Sequence, residues 1–81
     1  MVRIYFDIRD EDGTSPDEEG LVLPDVEAIQ REAALSLTEL AREVIRSGIE
    51  NKARRELAIE ARTEDGPVLE AKLVLEINRK R

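Results

Sequence analysis

Cysteine and histidine are both absent from this 81-residue chain. Without cysteine there is no disulfide framework and no thiolate for zinc or redox chemistry. Without histidine the commonest general base and metal-binding ring are gone. Serine–histidine, cysteine–histidine and imidazole–zinc chemistry are therefore excluded together, and neither an enzyme nor a cofactor is expected. Aromatics are almost as scarce, with Tyr5 and Phe6 alone. Nucleic-acid binders present a broad basic face, often with stacking aromatics. Here the bases form two small clusters, Lys52, Arg54 and Arg55, then Arg79, Lys80 and Arg81, so no nucleic-acid partner is expected. No apolar run approaches the roughly 20 residues that cross a bilayer. The start, Met-Val-Arg-Ile-Tyr-Phe-Asp-Ile, reads as neither a signal peptide nor a lipidation site. A cytoplasmic protein without membrane contact is the expectation.

Positive charge is missing from one stretch in particular. From Asp10 to Asp25 there are seven carboxylates (Asp10, Glu11, Asp12, Asp17, Glu18, Glu19, Asp25) and no Lys or Arg. Residues 1–40 carry a net −8 and residues 41–81 a net +2, against −6 for the whole chain. Such asymmetry suggests head-to-tail complementarity, within one subunit or between two, more than a polyanion-binding surface.

Hydrophobic periodicity organises the rest into a single small domain. Val2, Ile4, Phe6 and Ile8 alternate with polar residues, as a half-buried strand over 2–9 requires. An acidic connection over 10–24 follows, in which Leu21-Val22-Leu23 suits a short extra strand or a plug at the core edge. Asp25 is placed to cap a helix over 25–47, with Glu27 in its first turn. Val26, Ile29, Ala33, Leu37, Leu40 and Val44 form its apolar stripe. Gly48 suits a left-handed C′ residue, with Ile49 folding back on Val44. A basic linker is assigned to 48–55, a hairpin to 56–77 and a basic tail to 78–81. Leu57, Ile59 and Ala61 face inward against Leu69, Ala71, Leu73, Leu75 and Ile77. Odd must pair with odd, so the loop needs an odd number of residues; Glu64-Asp65-Gly66 fits, with glycine in a bulge. The expected fold is α+β, with β-α-β-β order and one long helix on a small, mostly antiparallel three-stranded sheet. A 23-residue helix at about 34 Å would overhang seven-residue strands of about 23 Å.

Could the acidic stretch bind a cation? With Gly13 as the sixth residue of an EF-hand loop, Asp10, Asp12 and Glu19 take the third, fifth and twelfth positions. The first position is then Ile8, which cannot ligate and belongs to the core face of the first strand, and flanking helices are missing. No metal site is expected, and these three are the residues a divalent ion would have to use. Paired acids could also serve a hydrolase, but that needs a cleft to shift one carboxyl, and a solvated loop offers none.

The remaining reading is a non-enzymatic interaction or regulatory module, with a small ligand- or cation-binding protein as its alternative. Asp17, Glu18 and Glu19 are candidates for an acidic contact with a basic protein partner. Leu35, alone on the polar face of the helix, and Tyr5, on the outer face of the sheet, are candidate contacts across an interface. A thin core and unpaired sheet edges make a homodimer the expected assembly.

Tyr5-Phe6, Asp12-Gly13, Asp17-Glu18-Glu19-Gly20, Leu23-Pro24-Asp25, Ala28 and Glu32-Ala33 resemble the pattern of a family of short bacterial proteins, the domain-of-unknown-function family numbered 6894. The resemblance spans about residues 3–45. It implies a stand-alone cytoplasmic bacterial protein and carries over no catalytic or binding residue.

Overall fold

The computed structural model describes residues 2–48 and 52–80. Among them the chain forms five strands and one helix: β1 (Val2–Asp10), β2 (Gly13–Ser15), β3 (Leu21–Leu23), α1 (Val26–Arg46), β4 (Lys52–Thr63) and β5 (Gly66–Asn78). The described pairings are all antiparallel, in the order β2-β1-β4-β5. β3 pairs with the start of β1 and β2 with its end. The fold is α+β as expected, with two short strands added to the predicted three. One of them is the expected Leu21–Leu23; the other, Gly13–Ser15, turns back onto β1 directly after the Glu11-Asp12 turn.

The helix begins and ends where its capping residues predict. The Asp25 carboxylate accepts the Ala28 N–H at 2.8 Å, which satisfies one of the donors left over in the first turn. At the other end Gly48 has φ +108° and its N–H reaches the Ile45 carbonyl, half of the hydrogen-bond pair of a Schellman ending. The expected contact of Ile49 with Val44 lies outside the described residues. Ile29, Ala33 and Leu37 are buried under the helix, against Leu57 and Ile59 toward one end and Ile4 and Ala61 toward the other. Phe6 and Leu69 pack on both groups and join them into one core. Ala33 and Ala61 are fully buried, and with no side chain beyond Cβ they let helix and sheet approach closely.

Two expectations are corrected by the hairpin. Lys52, Arg54 and Arg55 belong to β4 and Asn78 to β5, so the basic linker and the tail are shorter than assigned. A charged run such as Arg54-Arg55-Glu56 can continue a strand as well as form a linker, and composition alone hid this. In consequence β5, at 13 residues, reaches about 43 Å and the 21-residue helix about 32 Å. The hairpin outreaches the helix, the reverse of the predicted overhang, and the molecule is 52 Å long. Leu73 and Ile77, at the uncovered end, are left partly exposed.

The hairpin turn also differs in detail. Thr63 pairs with Gly66 across a two-residue turn, and the irregularity falls one step further in, where Arg62 faces Pro67 and Ala61 faces Leu69. Val68 is the extra residue. It restores the odd-to-odd register that burial demands, so the parity rule holds while the bulge sits elsewhere.

Ile59, with no exposed surface, anchors the core, whereas Leu35 is 53% exposed. Ile59→Ala is expected to lower the unfolding free energy by about 2–5 kcal/mol. Leu35→Ala should change it by under about 0.5 kcal/mol. Urea denaturation of the two variants checks both values.

Candidate functional site

The outer edge of β1 sets the problem that the acidic segment solves. β2 pairs with Ile8 to Asp10 and β3 with Val2 to Ile4. Residues 16–20 must therefore pass alongside Tyr5, Phe6 and Asp7, five residues against three, and cannot keep a regular ladder. The Phe6 N–H faces this gap, and an unpaired, part-buried amide is costly.

The Asp17 side chain takes the place of the missing strand. Its Oδ2 accepts the Phe6 N–H at 3.1 Å. Its Oδ1 accepts the N–H groups of Glu19 and Gly20 at 3.1 and 3.2 Å, which curls the chain back toward β3. The Asp17 N–H in turn donates to Asp7 Oδ1 at 2.9 Å. Asp7 lies on the face of the sheet away from the helix, where Arg62 of β4 holds it through Nε–Oδ2 at 2.6 Å and Nη2–Oδ1 at 3.3 Å. Arg62 also donates to the Asp17 carbonyl at 3.3 Å and lies over the Tyr5 ring, 4.8 Å from its centre. Gly20 completes the clasp. At φ +74°, a Cβ there would meet Arg3 Cγ at 2.9 Å, Tyr5 Cε1 at 3.0 Å and the Ile4 carbonyl at 3.1 Å.

The charges are tuned by these contacts. The Arg62 hydrogen bond outweighs burial and holds the Asp7 carboxyl below its ordinary value. Burial opposes the charge on Asp17, but the N–H donors of Phe6, Gly20 and Glu19 more than offset it, and this carboxyl too lies low. Asp7 correspondingly raises the Arg62 guanidinium above its usual value. Each carboxylate accepts three hydrogen bonds, so the cluster fixes charge in place and offers no free base or ligand.

The other predicted residues are scattered. Asp10 Oδ1 accepts the Asp12 N–H at 2.8 Å, and Glu19 lies beyond β2, its carbonyl bound by Arg3. Asp10, Asp12 and Glu19 are not brought together, and among the described residues no three carboxylates gather as a metal site would require. Glu18, Glu19 and Leu35 are exposed, while Asp17 and Tyr5 are partly covered and engaged in the clasp. A shallow apolar cleft of about 220 Å³ beside the start of the helix is lined mainly by Ile4, Leu23, Val26, Ile29 and Val68. A second recess, of about 280 Å³, is lined by Arg9, Glu11, Arg54, Glu56 and Lys72, which already pair within the chain. Sequence reasoning missed Asp7 and Arg62. Both sit on the outer face at the expected parity, but only the register, which sets Tyr5 opposite Arg62, brings them together.

The family model described as Domain of unknown function (DUF6894) matches residues 3–74. No curated protein and no solved structure matches the chain.

Two outcomes follow from the clasp. Gly20→Ala should destabilise the fold by about 1–3 kcal/mol through backbone strain and crowding, measured by urea denaturation. For the carboxylates, folded pKa values lie below the unfolded ones, so their stabilisation is complete at neutral pH and is lost as pH falls. Asp17→Asn should be less stable than the parent at pH 7, and the difference should shrink below about pH 4. Melting curves across that range check the sign.

Proposed function

The chain belongs to the DUF6894 family, and on that premise we propose that it is a non-enzymatic protein–protein interaction module of the bacterial cytoplasm, with a basic protein as its partner. The observation that carries this reading is the division of labour among its acids. Asp7 and Asp17 are spent on the fold, whereas Asp10, Asp12, Glu18 and Glu19 stand exposed along one edge of the sheet. Arg3 is directed to the Glu19 carbonyl, Arg55 pairs with Glu11, and among the described residues none of these four carboxylates has a direct ion pair. An unneutralised row of one sign speeds encounter with an oppositely charged surface and rejects like-charged ones.

Immobilised protein is expected to retain a specific basic partner from a lysate of its source bacterium at low salt and to release it as salt screens the contact. Replacing Asp12, Glu18 and Glu19 together by Lys should abolish retention without changing the circular dichroism, since all three side chains are exposed. Equal retention by this variant, or no specific retention by the parent, would overturn the reading.

A further inference from the structure

The opposite edge of the sheet carries an inference independent of the acidic row. β5 is an edge strand, paired with β4 on one side only among the described residues. Which of its groups face the open side follows from one hydrogen bond. The Glu56 N–H donates to the Glu11 carboxylate at 3.0 Å and so points away from β5. In β4, therefore, even-numbered residues address the β1 side and odd-numbered ones address β5. Pairing is odd to odd, Leu57 with Leu73 and Ile59 with Ala71. The N–H and C=O groups of Glu70, Lys72, Val74 and Glu76 are thus left on the open edge, available to another strand.

We infer that this edge pairs with the β5 edge of a second copy of the chain, antiparallel about a two-fold axis at Val74, to make one continuous sheet across the dimer. Three features select that occupant and that register. The bulge at Val68 interrupts β5 near its start, leaving Glu70, Lys72, Val74, Glu76 and Asn78 as the regular run that addresses the open edge, with Val74 in its middle. With Val74 facing its own copy, Lys72 faces Glu76 of the second copy and Glu76 faces Lys72, so both charges are complemented. On the helix side Leu73 then faces Leu75 and Ala71 faces Ile77, which covers the apolar residues that the single chain leaves partly exposed. Moving the axis to Lys72 sets lysine against lysine, and moving it to Leu73 sets Glu70 against Glu76. Centring on Ala71 pairs Glu70 with Lys72 but runs into the bulge after two residues on either side. Among the described residues, Lys72 and Glu76 have only long ion pairs within one chain, at 3.8 Å to Glu56 and to Arg54, and their side chains are 52% and 55% exposed. Both remain available to a partner.

Sedimentation or light scattering should find a dimer for the parent chain. Lys72→Glu and Glu76→Lys each create two like-charge pairs and should each weaken dimerisation roughly tenfold. Mixing the two variants should restore a dimer, now mixed, because the two charge pairs across that interface are again complementary. Val74→Pro removes an N–H that points to the open edge, so it should give a folded monomer with the parent's circular dichroism. A monomeric parent chain, dimeric Lys72→Glu, or failure of the mixture to re-form a dimer would overturn the inference. So would rescue of Lys72→Glu by Glu70→Lys in place of Glu76→Lys, which would show the axis at Ala71. None of these variants touches the acidic row, so retention of a basic partner reads separately from dimerisation.

Discussion

One carboxylate holds the first third of the chain in place. Between β2 and β3 the backbone must cross three residues of β1 with five of its own, and no ladder can absorb that mismatch. Asp17 absorbs it by lending a side-chain acceptor to the Phe6 N–H and curling Glu19 and Gly20 around its other oxygen. Asp7 and Arg62 then fasten this edge of β1 to β4, through a backbone N–H on one side and a guanidinium on the other. Removing either partner of a part-buried pair costs more than the pair itself contributes, because it leaves a charge without compensation. The clasp is therefore a condition for the local fold as much as a source of stability.

The outer face shows how a chain with 40% charged residues and a thin core avoids self-repulsion. Arg9 bridges Glu60 and Glu70 across three strands, and Arg54 and Lys72 gather around Glu56. Each of these partly exposed pairs is worth at most about 1 kcal/mol. Their combined effect lies in specificity, since slipping the register by one residue would bury these charges and expose the leucines opposite. Ala58 illustrates the tightness of the arrangement. It is buried although it points to the outer face, opposite Arg9 on one side and Lys72 on the other.

What the sequence made legible follows from which forces are local. The helix could be read to its caps, because Asp25 and Gly48 act within one turn of themselves. The inward parity of all three long strands could be read because burial imposes a period of two. The extent of the hairpin could not, since Lys52 to Arg55 carry no apolar alternation and become strand through pairing with Leu75 to Asn78. Nor could the clasp. Asp17 and Arg62 are 45 residues apart, and nothing near either one specifies the register that unites them. The same limit explains the acidic segment, whose composition reads as a solvated loop. It is instead tied to β1 by hydrogen bonds that composition does not encode.

This reassigns the meaning of the residues that carry the family resemblance. Asp17 and Gly20 are required by a crossing of mismatched length, Gly13 by a turn with φ +134°, and Asp25 by the first turn of a helix. Each has a sufficient structural reason, so a shared pattern at these positions identifies a fold and says little about chemistry. Function has to be sought where the fold makes no demand: the carboxylates outside the clasp and the open edge of β5. These lie on opposite margins of one sheet, β2 and β3 on one side and β5 on the other. A contact at one margin leaves the other free, so a sheet joined through β5 would still present an acidic row at each of its two outer ends.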